Sequence, residues 1–264
     1  MALRSPLMTV MVAAAEKAAK ALKRDFGEVE NLQVSRKGPS DYVSAADVKT
    51  EKTLVAELSK ARPNFGFVLE EGGIITGADS EHRWIIDPID GTTNFLHGIP
   101  HFAISIALQR GTEIIAGIVY NPITEDWYRA EKGTGAFYNN HRMRVSAHRS
   151  LDDSVVATGI PHKGRPWHEE FIQQSQRVMS ATAGIRRFGT ASLDLAFVAV
   201  GRFDAYWEMG LKPWDIAAGI LLVQEAGGFV ADLTGPGSPL DTGNILATNA
   251  QLQAPLRKVI LGTP

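Results

Sequence analysis

The sequence has no cysteine among its 264 residues. Disulfide bonds, thiolate nucleophiles, cysteine-ligated zinc and iron–sulfur clusters are therefore excluded. It also has no apolar run of about 18 residues, so no transmembrane span is expected. Neither sign of charge is in excess, because 27 Lys and Arg are balanced by 29 Asp and Glu, for a formal net charge of −2. This balance argues against non-specific nucleic-acid binding, which needs a basic surface.

The N-terminal segment could be mistaken for a targeting signal. Arg4 precedes an apolar run over residues 7–15 that ends in three alanines. Apolar residues nevertheless continue at helical spacing past this point to Phe26, with lysines and arginines on the opposite face. We interpret the segment as an amphipathic first helix and expect a cytoplasmic protein that does not contact a membrane.

The pattern of predicted secondary structure changes near the middle of the chain. A second helix is predicted over residues 45–61, and β-rich runs between residues 103 and 138 predict an antiparallel meander. Beyond that region strands alternate with helices, which is typical of an α/β arrangement. The boundary is expected between residues 145 and 152 and divides the chain into two halves, 1–148 and 149–264. The first half would carry most of the candidate site.

The most informative stretch is WIIDPIDGTTNF, residues 84–95. An apolar strand is predicted to end at Asp87, and Pro88 favours an extended or turn geometry there. Asp90 follows three residues later, and then Gly91 permits a tight turn before a short helix. Two carboxylates at a strand tip suit a hard cation, and amides at a helix start suit phosphate oxygens. The alternative is a plain Asp-Gly turn with Thr92 capping the helix.

Two further acids strengthen the cation interpretation. Glu70 follows a predicted buried strand over residues 65–69, although a solvated charge pair at a strand end would look the same. Asp215 begins a predicted helix, and the alternative interpretation is that it serves simply as the N-cap of that helix. Together with Asp87 and Asp90 these residues form a set of four carboxylates without soft ligands, which suits magnesium, calcium or manganese rather than zinc or copper.

Asp47 belongs to the pattern Ser44-Ala45-Ala46-Asp47, a capping box at the start of the second helix. A purely structural role is sufficient to explain it. The functional alternative is a carboxylate that hydrogen-bonds a hydroxyl near the metal site. The two roles are compatible if the start of the helix faces that site.

These motifs, in their order, resemble those of the inositol monophosphatase family of magnesium-dependent, lithium-sensitive phosphatases. Residues 84–95 match the first motif of that family in full, and WDIAAG at 214–219, continuing to EAGG at 225–228, resembles the second. The other matching stretches are DYVSAAD at 41–47, Glu70-Glu71, Gly189-Thr190-Ala191 and DAYWEMG at 204–210. The resemblance covers nearly the whole chain.

The resemblance implies an α+β or α/β fold of the inositol monophosphatase and fructose-1,6-bisphosphatase type, a layered α-β-α-β-α sandwich. Residues 1–148 would form N-terminal helices and an antiparallel sheet, and residues 149–264 an α/β half. The family usually pairs as a homodimer. Nucleic acid and membranes are not expected as partners.

The resemblance also implies a metal site for two or three Mg²⁺ ions. Glu70, Asp87 and the backbone carbonyl of Ile89 would hold the first ion. Asp87, Asp90 and Asp215 would hold the second, and Glu70 would help bind a third through water.

By the same resemblance, Glu70 and the pair Asp47 and Thr92 would orient and deprotonate the attacking water. The amides of Gly91 and Thr92 would bind the phosphate. No covalent nucleophile is required, because phosphoryl transfer depends mainly on positioning and charge neutralisation.

The leaving alcohol would meet Glu208, with Ala191 as a small wall beside it. One carboxylate that accepts from vicinal hydroxyls gives moderate selectivity, so inositol 1-phosphate and related polyol monophosphates would fit. The departures from the family pattern lie in the segment 158–167, outside the metal set, and do not indicate which phosphomonoester is bound.

Other functions remain open from the sequence alone. On the same scaffold the substrate could be histidinol phosphate, fructose 1,6-bisphosphate or adenosine 3′,5′-bisphosphate. A glycosidase could use two of the carboxylates, but it would leave Gly91, Thr92 and the other acids unexplained. A regulatory binding protein that contacts the transcription machinery is the alternative from a different class.

Overall fold

The computed structural model describes residues 5–28, 34–38 and 41–263. The helices are α1 (Pro6–Gly27), α2 (Ala45–Ala61), α3 (Thr92–Leu96), α4 (His168–Ala181), α5 (Ala191–Ala199), α6 (Pro213–Glu225), α7 (Pro239–Thr242) and α8 (Gln253–Leu261). The strands are β1 (Val34–Gly38), β2 (Asp41–Ser44), β3 (Gly66–Leu69), β4 (Gly73–Ile75), β5 (His82–Asp90), β6 (Ala103–Arg110), β7 (Glu113–Asn121), β8 (Asp126–Glu131), β9 (Gly135–Tyr138), β10 (His141–Arg142), β11 (Val155–Thr158), β12 (Gly184–Arg186), β13 (Ala205–Glu208), β14 (Phe229–Asp232) and β15 (Ile245–Thr248).

The larger sheet has eight strands in the order β10-β9-β8-β7-β6-β5-β3-β4. Strands β5 to β10 form an antiparallel meander, as predicted for residues 103–138, and β3 pairs in parallel with β5. Short β-rich runs separated by Gly and Asn-Pro turns produce this topology, because neighbouring strands need only tight connections. The parallel pair is the exception that brings two strand ends to the same edge.

The smaller sheet has five strands in the order β12-β11-β13-β15-β14. Strand β11 is parallel to both β12 and β13, whereas β15 is antiparallel to β13 and β14. The alternation of strands and helices after residue 150 therefore gives a mixed sheet rather than a fully parallel one. The first sheet ends at Arg142 and the second begins at Val155. The division at residue 148 into two halves stays a prediction.

Five layers result from this packing. Helices α1 and α2 share one apolar core with the outer face of the larger sheet, through Leu22, Leu54 and Trp84. Helices α5 and α6 lie between the two sheets and share a second core with both of them, through Leu195, Leu222 and Ile245. Helices α4 and α8 cover the far face of the smaller sheet. The predicted α-β-α-β-α sandwich is confirmed.

The two N-terminal helices follow the apolar spacing of the sequence. Helix α1 buries Met11, Val12 and Leu22, and helix α2 has the predicted bounds 45–61. Val48 is apolar but 36% exposed, because the buried face of α2 runs through Leu54 and Leu58. Among the described residues, no helix combines the length and apolar character that crossing a bilayer requires.

Candidate active site

A cavity of about 210 Å³ opens between the larger sheet and the edge of the smaller one. Both halves of the chain contribute to its lining. One part of the lining carries acids and the start of α3, and another part carries the loop that follows β11. The lining includes Glu70, Asp90, Gly91, Thr92, Gly159, His162, Arg165, Arg187, Ala191, Glu208 and Asp215.

Strand β5 delivers two carboxylates through a bulge. The prediction that the strand ends at Asp87 was wrong, since the pairing with β6 continues to Asp90. Three residue steps on β5, from Asp87 to Asp90, face two on β6, from Ser105 to Ala103. Pro88 explains the bulge because it has no amide to donate to the ladder. The carboxylate of Asp87 accepts from the amide of Ile89 at 2.9 Å, which fixes the bulge locally.

Glu70 reaches the same place through sheet register. Strands β3 and β5 run in parallel, with Leu69 opposite Ile86, so Glu70 follows β3 at the level of Asp87. The carboxyl ends of parallel strands meet at one edge of a sheet. An acid after a short apolar strand therefore predicts that Glu70 lies beside Asp87 only when the parallel pairing of β3 with β5 is also known.

Asp215 is brought in by helix α6. Ser105, which lies opposite Asp87 in the sheet, donates its hydroxyl to the carbonyl of Trp214 at 3.3 Å. The start of α6 thus lies over the strand pair that carries the other acids. Asp215 is the third residue of the helix and not its N-cap, and its Oδ2 accepts from the amide of Lys212 at 2.7 Å. One oxygen serves the helix start, and the residue still lines the cavity.

The four acids repel one another in the absence of a cation. Burial raises the pKa of Asp90 to about 7 and that of Asp215 to about 7. The pKa of Asp87 is raised well above its ordinary value, first by burial and then by the charge of Glu70. Such a set costs free energy to keep ionised unless a positive charge enters it.

The donor set fits magnesium. All the donors are oxygen atoms, which hard cations prefer. Among the described residues, no group of three or more His, Cys, Asp or Glu side chains is arranged as a ready site for one metal ion. Magnesium usually binds through one or two carboxylates together with waters and substrate phosphate.

The start of α3 lies beside these acids. Gly91 has φ +94° in the left-handed region, and a Cβ there would come within 2.5 Å of the hydroxyl oxygen of Thr190, so only glycine fits. Thr92 follows as the first residue of α3, and its hydroxyl lies 3.1 Å from Oδ1 of Asp47 and 3.0 Å from the carbonyl oxygen of Ile89.

Asp47 holds both of the roles proposed from the sequence. Its Oδ2 accepts from the amide of Ser44 at 2.8 Å, and Ser44 caps the amide of Asp47 in return, so the predicted capping box is confirmed. Its other oxygen faces Thr92. Asp47 is fully buried, and this burial raises the pKa of its carboxyl despite the hydrogen bonds that favour the ionised form.

Helix α5 also begins at the cavity. The amide of Ser192 donates to Oδ2 of Asp90 at 2.6 Å, and Ala191 precedes it as a small residue in the wall. Ser192 was not predicted as a site residue. Its partner, Asp90, lies 102 residues away in the chain, and no local sequence pattern predicts such a hydrogen bond.

Glu208 lines the same cavity from the end of β13. The hydroxyl of Tyr206 donates to its Oε2. Burial raises the pKa of Glu208, and the hydroxyl of Tyr206 and the charge of Arg165 oppose that rise. Tyr206 was missed from the sequence, although its position two residues before Glu208 on a strand places both side chains on one face.

Three basic side chains complete the wall around Glu208 and were also not predicted. His162 and Arg165 lie in the loop after β11, and Arg187 follows β12. Arg165 donates to Nε2 of His162 at 2.9 Å and to the carbonyl of Gly210 at 2.7 Å, which holds its guanidinium at the cavity. The sequence showed only that segment 158–167 departs from a familiar pattern.

Comparison with known proteins gives consistent matches along the chain. A family model described as the inositol monophosphatase family matches residues 3–260. Two proteins named inositol-1-monophosphatase, from Rhizobium meliloti and Mesorhizobium japonicum, are 57% and 56% identical over 257 residues, and each match covers 97% of both chains. The crystal structure of the extragenic suppressor protein suhB from Bartonella henselae is 56% identical, with a TM-score of 0.94 over 97% of this chain and 98% of that one. The matched range contains every residue that lines the cavity.

Proposed function

The chain belongs to the inositol monophosphatase family, and from that premise we propose that it hydrolyses inositol 1-phosphate or a related polyol monophosphate to the alcohol and inorganic phosphate. One observation carries the proposal. Buried acids and the start of α3 line one cavity, and Glu208, a carboxylate suited to hydroxyl groups, lines the same cavity from the end of β13. Phosphate and leaving alcohol therefore have separate places in the same cavity.

We propose magnesium as the metal, with two or three ions per site. The ligands would be Glu70, Asp87, Asp90, Asp215 and the carbonyl of Ile89. When bound, the ions supply positive charge against the developing charge of the phosphoryl group and lower the pKa of a water. This role agrees with the raised pKa values of Asp87, Asp90 and Asp215, which result first from burial and then from neighbouring carboxylates.

The remaining steps belong to side chains and amides of this chain. Thr92 and Asp47 would hold the attacking water, and Glu70 would help to orient it and take its proton. The amides of Gly91 and Thr92, at the start of α3, would bind the phosphate oxygens. Glu208 would accept hydrogen bonds from hydroxyl groups of the leaving alcohol, with Ala191 beside it.

We further propose that the protein acts in the cytoplasm as a homodimer. Both statements rest on the resemblance to the family. Size-exclusion chromatography with light scattering tests the second one. Twice the mass of the chain is the expected result, and the mass of a single chain would overturn it.

A phosphate-release screen tests the proposed activity. The purified protein is assayed with Mg²⁺ on inositol 1-phosphate, histidinol phosphate, fructose 1,6-bisphosphate, glycerol 2-phosphate and adenosine 3′,5′-bisphosphate. We expect the highest kcat/KM on inositol 1-phosphate. A clear preference for any of the other esters would replace the proposed substrate.

The same assay tests the metal. An excess of chelator should abolish phosphate release, and added Mg²⁺ should restore it, whereas Ca²⁺ should inhibit because it relaxes the octahedral geometry that Mg²⁺ imposes. Full activity in chelator would contradict the metal-dependent mechanism.

A further inference from the structure

Glu208 does not stand alone at the cavity, because Tyr206 lies directly behind it. Residues two apart on a strand point to the same face, and on β13 this places the tyrosine hydroxyl against Oε2 of Glu208. Tyr206 is completely buried. It therefore acts on the cavity only through the carboxylate that it touches.

The backbone of Gly159 confines the same carboxylate from the side. A Cβ at Gly159 would lie 1.9 Å from Oε2 and 2.1 Å from Oε1 of Glu208, so no other residue leaves room for the acid. Register explains the closeness, since β11 and β13 are parallel with Thr158 opposite Trp207. The hydroxyl of Thr158 also donates to the carbonyl of Trp207 at 2.9 Å. Gly159 thus leaves the sheet at the level of Glu208.

Basic groups face the carboxylate from other elements. Arg165 and His162 in the loop after β11, and Arg187 after β12, all favour its ionised form. Asp194 of α5 is a further acid nearby. The basic groups thus favour a Glu208 carboxylate that accepts hydrogen bonds. Its Oε2 already accepts one from the hydroxyl of Tyr206.

We propose that Tyr206 is a positioning residue for substrate selection: its hydroxyl occupies Oε2 of Glu208 and turns Oε1 toward a single hydroxyl of the leaving alcohol. The proposal rests on the proposed function. It assigns the discrimination of polyols to a pair, Tyr206 and Glu208, rather than to Glu208 alone. A carboxylate released from the tyrosine could rotate or accept from two hydroxyl groups, and it would then no longer present one fixed acceptor.

The test compares two substrates that share the phosphate but differ in the leaving alcohol. Phosphate release from inositol 1-phosphate and from glycerol 2-phosphate is measured with Mg²⁺ for the wild type and Tyr206→Phe. We expect KM for inositol 1-phosphate to rise about tenfold with kcat nearly unchanged, which is the effect of one charge-assisted hydrogen bond losing its geometry. Both constants for glycerol 2-phosphate should stay close to the wild-type values.

A matched control removes a similar bond elsewhere. The hydroxyl of Tyr138 donates to Oδ1 of Asp126 at 2.5 Å in the larger sheet, away from the residues that line the cavity. Tyr138→Phe should therefore leave the ratio of the two kcat/KM values unchanged. Gly159→Ala provides a second route to the same effect, because it displaces the Glu208 carboxylate while the tyrosine hydroxyl is kept.

The outcomes separate the two proposals. An unchanged substrate ratio in Tyr206→Phe, or an equal loss on both substrates, would overturn the positioning role while the phosphatase activity stands. A wild-type protein that releases phosphate from neither substrate would overturn the proposed function and this role with it. Should Tyr206→Phe fold poorly by thermal denaturation, both substrates are assayed below its melting temperature, because the ratio of two kcat/KM values does not depend on the fraction of folded enzyme: a ratio shifted toward glycerol 2-phosphate supports the role, and an unchanged ratio rejects it.

Discussion

The hydroxyl of Thr92 lies between Oδ1 of Asp47, at 3.1 Å, and the carbonyl oxygen of Ile89, at 3.0 Å. A hydroxyl has one proton to donate and two lone pairs with which to accept. If the carbonyl is engaged by a cation, the proton of Thr92 is directed to Asp47, and its lone pairs are left to accept from a water. The contact links the starts of α2 and α3.

Removing this hydroxyl should therefore affect the chemical step. Thr92→Ala is expected to lower kcat by about 10²-fold with KM for inositol 1-phosphate almost unchanged, because the lost contact would serve the attacking water and not the bound ester. Steady-state kinetics at saturating Mg²⁺ provide the measurement. Thr53→Ala, which removes an exposed hydroxyl that donates to its own helix, is the control. A rise in KM alone would assign Thr92 to substrate binding.

Neutralising one acid tests the metal set against the structural roles of the same residues. Asp90→Asn and Asp215→Asn should each reduce kcat by about 10²-fold or more, because they remove charge that would hold the cation near the transition state. Asparagine keeps an oxygen that can still accept from the amides of Ser192 and Lys212, so the fold should persist by circular dichroism. Asp241→Asn, an exposed acid in the first turn of α7, should behave as the wild type. Near-normal turnover in both variants would mean that Asp90 and Asp215 have only structural roles, in a turn and at a helix start.

Glu208, which would contact the leaving alcohol, should determine the selectivity between substrates. Glu208→Gln is expected to weaken kcat/KM for inositol 1-phosphate by about 1–3 kcal/mol, the range of one charge-assisted hydrogen bond. Glycerol 2-phosphate offers fewer hydroxyl groups and should lose less. Glu225→Gln serves as the control, since the carboxylate of Glu225 accepts from two backbone amides at the tip of a hairpin. Equal losses on both substrates would mean that Glu208 supports the cavity in general.

Asp194 gives a pH-dependent prediction about stability. It is 1% exposed, and its Oδ1 has no hydrogen-bond partner among the described residues. Burial raises its pKa well above the ordinary value, and the charges of Glu208 and Asp90 add to this. As pH rises the unfolded chain releases this proton first, so Asp194 destabilises the fold increasingly above about pH 4.

Asp194→Asn removes that penalty because asparagine cannot ionise. At pH 8 the variant should melt several degrees above the wild type, since about 1 kcal/mol corresponds to roughly 2–4 °C in a protein near this size. Close to pH 4 the difference should vanish. Thermal denaturation at the two pH values, with the exposed Asp153→Asn as control, provides the comparison. A gain that is independent of pH would indicate a packing effect instead.

The sequence was a good guide wherever a local pattern fixes the structure. The apolar spacing in α1, the capping box of α2 and the turns of the meander each involve neighbours in the chain, and the structure confirms them. Strand β5 was misjudged because Pro88 was taken as the end of pairing. The sheet instead absorbs the missing amide in a bulge and continues to Asp90.

Contacts between distant parts of the chain could not be predicted in this way. The bond from Ser192 to Asp90 spans 102 residues, and that from Thr92 to Asp47 spans 45. A resemblance to known motifs identified the second pair but gave no indication of Ser192, Tyr206 or Arg165. Their places follow from how α5, β13 and the loop after β11 meet, which depends on the packing of two sheets and not on spacing along the sequence.

The cavity has two walls of different construction. The acid wall is made by a bulge, by a parallel pair of strand ends and by helix starts whose capping uses the same carboxylates, so a change there disturbs the framework as well as the chemistry. The other wall is largely a loop, residues 159–167, held at the cavity by contacts such as that from Arg165 to Gly210. Beyond Gly159, its composition can therefore vary without touching the phosphate end. A protein built this way can adjust its alcohol preference through residues 160–167 around one fixed acceptor, Glu208, while its hydrolytic machinery is inherited intact.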